Sequence, residues 1–107
     1  MNRFYLLLAV GWATAIFWMS SLPGTEVGLQ PPWDKLAHFA TYAVLATLLV
    51  RSGLSQALAF LLAVVYGAGD EWHQSFVPGR DASGFDLLAD AAGALLIFLP
   101  KLRQNNK

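Results

Sequence analysis

The sequence predicts an all-α protein, a polytopic membrane protein built as a four-transmembrane-helix bundle in one domain over residues 1–107. Two observations carry this. The first is composition: of 107 residues only 13% are charged and 56% are hydrophobic, whereas soluble domains run near 25% charged. The second is where the charges are missing. No charged residue lies between Arg3 and Glu26, Leu36 to Val50 has none, Ser52 to Gly69 has none, and Ala91 to Pro100 is apolar. A membrane-spanning helix needs roughly 20 residues, so four of them consume most of the chain and leave a tail and three short connections. A soluble four-helix bundle needs polar helix faces that these segments lack.

The first helix is expected over about residues 4–22. Arg3 followed by an apolar run also suits a signal peptide, but the run is long and no A-x-A-like site follows it. Ser20-Ser21-Leu22-Pro23-Gly24 reads instead as a helix end and a turn. The loop to Trp33 is rich in Pro and Gly and finishes in Pro31-Pro32, where a helix can start. The second helix runs over about 33–50, and Arg51-Ser52-Gly53 is a tight turn. The third covers about 54–72, extending a little further if its pattern continues. A loop containing Pro78-Gly79 leads to the fourth helix, about 84–99, which Pro100 stops.

Basic residues set the orientation. Arg3, Arg51, Lys101, Arg103 and Lys107 share one side of such a bundle, against Lys35 and Arg80 on the other. The N- and C-termini are therefore expected in the cytoplasm. All seven acids (Glu26, Asp34, Asp70, Glu71, Asp81, Asp86 and Asp90) fall toward the opposite face, as do Trp18, Trp33 and Trp72. A net charge of zero with no basic stripe excludes nucleic acid as a partner, and without cysteine there is no disulfide, iron–sulfur or thiolate zinc site.

Counting about 20 residues back from each cytoplasmic end places Asp34, Lys35, His38, Asp70, Glu71, Asp86 and Asp90 inside or at the edge of the outer half of the membrane. Intramembrane charge is expensive unless it is paired or faces a polar cavity. One shared cavity opening outward explains the set better than separate accidents. Spacing supports convergence: Asp34, His38 and Tyr42 share one helix face, Tyr66, Asp70 and Gln74 a second, and Asp86, Asp90 and Ala94 a third. Asp90, a turn deeper than Asp86, needs a partner from among Lys35, Arg80 and His38. Ala59, Ala63, Gly67, Ala89 and Gly93 are small residues suited to close helix contact.

These polar positions fall in an ordered set: Ser21-Leu22-Pro23-Gly24, then Asp34-Lys35-Leu36-Ala37-His38-Phe39 with Tyr42, Asp70-Glu71-Trp72-His73-Gln74, Val77-Pro78-Gly79-Arg80-Asp81, and Asp86 with Asp90 and Gly93. In this the chain resembles the VanZ-like proteins, named for a teicoplanin (glycopeptide antibiotic) resistance determinant. The resemblance covers nearly all of the chain after the first helix. It implies a small bacterial inner-membrane protein with an envelope-related or antibiotic-resistance role. The family usually carries Asn where Asp90 stands here.

Two functions follow. In the first, the outer cavity binds an anionic envelope lipid, a lipid-linked cell-wall precursor or a glycopeptide-type amphiphile. Its ligand-binding residues are Asp34, Lys35, His38, Asp70, Glu71, Gln74, Arg80, Asp86 and Asp90, with Arg80 offering a planar fork for phosphate or carboxylate. In the second, the protein is an intramembrane enzyme on such a lipid, with Glu71, His38, Asp86 and Asp90 as catalytic candidates in acid/base or metal-assisted roles. No nucleophile-elbow pattern surrounds any serine. His38, His73 and the acids are enough ligands for a metal, but no recognised zinc spacing appears, so neither metal nor cofactor is assigned. Structural ion pairing of helix ends is the competing explanation for any single residue. Proton-coupled transport is disfavoured because acids confined to one leaflet leave no relay to the cytoplasm. A homo-oligomer is compatible with the sequence.

Overall fold

A computed structural model describes residues 1–22, 33–78 and 84–99, except for the side chain of Asp34. Glu26, Asp81, Lys101, Arg103 and Lys107 lie outside these residues. The described chain is all helical: α1 (Arg3–Ser20), α2 (Trp33–Arg51), α3 (Gln56–Gln74) and α4 (Gly84–Ala94), the last continued by a 3₁₀ turn, Leu95–Phe98.

Local chemistry explains the ends. Asn2 caps α1 by accepting a hydrogen bond from Tyr5 N–H, and Ser55 caps α3 by accepting one from Leu58 N–H, which satisfies donors that a helix start leaves orphaned. The Ser55 cap is also why α3 starts at Gln56. Between α2 and α3 the chain turns at Gly53, whose φ of 115° suits a residue without a Cβ. Arg51 sits in the last turn of α2, favourably placed for the helix dipole, with its guanidinium 5.8 Å from the Tyr5 ring centroid.

The helices alternate in direction. At one end Asn2 N–H donates to Ser52 O at 2.8 Å, and Gln56 Nε2 donates to Ile97 O at 2.9 Å. At the other, Ser21 meets His73 and Lys35 meets Asp86. Helix α2 is central: it packs against the other three, most extensively against α4. The apolar core of Ile16, Tyr42, Leu45, Ala46, Ala59, Ala63, Ala94 and Ile97 is made largely of small side chains, so the helices approach closely. At Gly93 a Cβ would lie 2.0 Å from Phe39 O; only glycine permits that crossing of α2 and α4.

Length and composition qualify one described helix, α1, to cross a membrane, where the sequence pattern anticipates four spans. The physical reason is specific. Helix α2 carries Asp34, Lys35 and Arg51, α3 ends in Asp70, Glu71, His73 and Gln74, and α4 has only 11 residues including Asp86 and Asp90.

Candidate functional site

The polar residues of α2, α3 and α4 meet at the end of the bundle where α3 terminates and α4 begins. Asp90 is fully buried, and Asp70, Glu71, Gln74 and Asp86 are each less than a tenth exposed. The helical repeat places His38 and Tyr42 one above the other on α2, Asp70 and Gln74 on α3, and Asp86 and Asp90 on α4. The Gly93–Phe39 approach then brings the α2 and α4 stripes into contact.

His38 is the hub. Its Nδ1 lies 2.7 Å from Asp90 Oδ1, and its Nε2 lies 3.9 Å from Asp86 Oδ2. The partner of Asp90 is therefore His38. Lys35, the other described contender, pairs with Asp86, its Nζ 2.7 Å from Oδ1. Lys35 is about a third exposed and Asp86 8% exposed, so the pair runs from the rim of the cluster inward. The second Asp90 oxygen, Oδ2, is buried and has no hydrogen-bond partner among the described residues. Above it lies Gly67, where a Cβ would stand 3.0 Å from that oxygen; the missing side chain is the space the carboxylate occupies. Glu71 completes the group: one donor atom from each of His38, Glu71 and Asp90 lies within 4.8 Å of the others.

Around this centre runs a layer of neutral hydrogen bonds. Tyr42 OH donates to Asp70 Oδ2 at 3.4 Å, and Tyr66 OH donates to the Ala13 carbonyl across α1. Trp12 Nε1 donates to Thr41 O at 2.9 Å. The hydroxyls of both tyrosines are thus bonded inside the bundle. His73 turns away from the cluster. Its Nε2 is 3.0 Å from Ser21 Oγ, and its ring stacks on Phe17 at 4.7 Å, so it ties α3 to α1. Spacing within one helix carries no sign of this contact, because it joins two helices: Phe17 and Ser21 share a face of α1 and its end, and His73 lies on α3.

Of the residues singled out from sequence, Lys35, His38, Asp70, Glu71, Gln74, Asp86 and Asp90 all belong to this one layer. The Asp34 side chain and Arg80 lie outside the described residues.

Residues 3–100 match the VanZ/LLP1 protein family. The chain belongs to this family. The VanZ family is generally membrane-associated, and membership supports an envelope- and resistance-associated role; α1 is a candidate span in keeping with it. Comparison with curated proteins and with solved structures finds no match. For this VanZ/LLP1 chain the geometry adds a buried, acid-rich cluster around a single imidazole. Such a cluster can orient His38 as a proton acceptor or donor, hold a cation, or meet a polar headgroup at Lys35.

Proposed function

We propose that this VanZ/LLP1 protein spans the bacterial cytoplasmic membrane four times with both termini in the cytoplasm, and that its outward polar layer binds the headgroup of an envelope amphiphile: an anionic lipid, a lipid-linked cell-wall precursor or a glycopeptide-type compound. One observation carries the reading, the inverted distribution of polarity. Asp70, Glu71, Gln74, Asp86 and Asp90 are buried, while Phe4, Leu7, Phe17, Trp18, Leu61, Val65 and Leu88 are each more than half exposed. Water disfavours so continuous an apolar exterior, and hydrocarbon accepts it. The shortest element also fits: 11 α-helical and 4 3₁₀ residues reach about 25 Å, close to the hydrocarbon thickness of about 30 Å.

Within this reading Lys35 is the entry point for an anionic headgroup, being the exposed member of its pair, and Arg80 is assigned as the second cation. The test is extraction of the protein in lipid nanodiscs, with mass spectrometry of what co-purifies. The expected result is one amphiphile class enriched over empty nanodiscs and lost in Lys35→Ala. No enrichment, or enrichment indifferent to Lys35→Ala, overturns the binding role. Orientation is tested separately in this cysteine-free chain: a cysteine at Gly28 should react with an impermeant reagent in intact cells, and one at Ser55 should not.

A second reading, an intramembrane acid/base enzyme on the same class of lipid, is favoured by the 2.7 Å His38–Asp90 contact, which fixes the imidazole beside Glu71. Its signature is a mass change in the bound lipid that Glu71→Gln and His38→Gln abolish. Lipid retained chemically unchanged excludes it.

A further inference from the structure

The His38, Glu71 and Asp90 donors come from three different helices and converge on one point inside the bundle, and we infer that they form a binding site for a single first-row divalent cation of the zinc type. This goes beyond the amphiphile reading and does not depend on it, because the metal alone is the ligand tested.

Geometry is the first support. One donor atom from each residue lies within 4.8 Å of the other two. A triangle of that size has its centre at most about 2.8 Å from each corner, so movements of under about 1 Å bring all three to the 2.0–2.2 Å typical of zinc–nitrogen and zinc–oxygen bonds. The second support is independent of that spacing. Asp90 is 0% exposed, yet its Oδ2 has no hydrogen-bond partner among the described residues. A buried carboxylate oxygen left unsatisfied keeps the full penalty of its lost hydration, and an electron-pair acceptor at this point removes it. Gly67 lets Oδ2 lie close against α3, since a Cβ there would stand 3.0 Å from it.

The arrangement of the imidazole agrees. With the proton on Nε2, toward Asp86 Oδ2 at 3.9 Å, His38 turns its Nδ1 lone pair to the side of Asp90, where a cation takes over the carboxylate in place of the 2.7 Å hydrogen bond, and Asp86 is then the outer carboxylate that orients the ring. Charge agrees as well. Two carboxylates and a neutral imidazole sum to −2, which one divalent ion cancels without burying net charge. An imidazole in the set selects zinc-like ions over magnesium or calcium, which prefer oxygen alone. Three protein ligands leave a position open, as in catalytic rather than structural zinc sites, and that position accepts water or an oxyanion.

The experiment uses the full chain in detergent micelles, stripped with chelator, then titrated with zinc chloride by calorimetry and with cobalt(II) by visible absorption. The expected result is one equivalent per chain, with cobalt d–d bands of a low-symmetry site. Asp90→Asn, Glu71→Gln and His38→Gln should each weaken binding at least tenfold and remove those bands while far-UV circular dichroism stays helical. His73→Gln, whose imidazole faces Ser21, should bind as the parent does. Absence of saturable binding to the folded parent, undiminished affinity in the Asp90→Asn and Glu71→Gln variants, or an equal loss in His73→Gln overturns the site.

Discussion

Gly93→Ala is the substitution that most directly tests how the cluster is assembled. A Cβ at this position would stand 2.0 Å from Phe39 O, 2.9 Å from its carbonyl carbon and 3.1 Å from Ala43 N. All three atoms are backbone, so no side chain can rotate away and the helices themselves must separate. Restoring an ordinary contact of about 3.4 Å needs about 1.4 Å of displacement between α2 and α4. Phe39 adjoins His38 in sequence, and Gly93 lies one turn from Asp90, so the same displacement stretches the 2.7 Å His38–Asp90 contact past hydrogen-bonding range. Overpacking of this kind costs about 1–3 kcal/mol, and loss of a hydrogen bond to a charged group adds about 1.5–3 kcal/mol. The better helix propensity of alanine returns about 1 kcal/mol, leaving a net destabilisation of about 1.5–5 kcal/mol. The assay is reversible unfolding in mixed micelles, followed by circular dichroism and tryptophan fluorescence. Gly11→Ala is the control: no atom lies within 4 Å of its Cβ position, so it should match the parent or gain slightly. A Gly93→Ala protein within about 0.5 kcal/mol of the parent, the range of a neutral surface change, would refute the close crossing and the dependence of the cluster on it.

The other predictions use the same preparation. Tyr42→Phe removes the donor to Asp70 at a site 1% exposed and should cost about 1 kcal/mol of unfolding free energy. Gly67→Ala places a methyl 3.0 Å from Asp90 Oδ2 and 3.3 Å from Tyr42 Cε2; the strain offsets the roughly 1 kcal/mol propensity gain, so stability should hold while zinc affinity in the calorimeter falls severalfold. Lys35→Gln breaks a pair whose lysine is about a third exposed, which caps the stability loss at about 1 kcal/mol. Its larger effect should be reduced co-purification of anionic lipid with the nanodisc protein.

How much of this was legible in the sequence depends on whether a contact lies within one helix or between two. The stacking of Asp86 over Asp90, or His38 over Tyr42, follows from 3.6 residues per turn and needs no tertiary information. Asp90 could be seen to need a cation or donor, because a carboxylate that deep is otherwise too costly. Its choice of His38 over Lys35 could not be seen. That choice depends on the relative height of α2 and α4, which is set by the Phe39–Gly93 contact, and a lone glycine in a helix does not announce what it touches. The metal-ligand pattern was hidden for the same reason: spacing rules find ligands on one element, whereas His38, Glu71 and Asp90 come from three. At the boundaries, Ser55 carried a readable capping signal, whereas the change from α-helix to 3₁₀ after Ala94 has no counterpart in the apolar run Leu95 to Leu99.

The hydropathy of the individual helices points to a general tension in a bundle this small. Among the described helices α1 alone qualifies as a span by length and average composition, and it is the helix that brings no ionisable side chain to the cluster. Helices α2 and α3 carry polar residues that meet inside, and α4 has only 11 residues. In α3 the inward stripe is Ala59, Ala63, Gly67, Asp70 and Gln74, all buried, and the outward one includes Leu58, Leu61, Leu62, Val65 and Trp72, all exposed. Averaged along the helix, the polar half cancels the apolar half. Taken face by face, the large apolar side chains are outside and the small and polar ones inside, the reverse of what burial from water selects. With helices under 20 residues long, each polar side chain committed to the interior is subtracted from a span's mean hydropathy. On the proposed four-span reading, a low average in α2 and α3 is what an internal polar site produces, and the face-resolved distribution is the quantity that separates such a bundle from one that buries its apolar side.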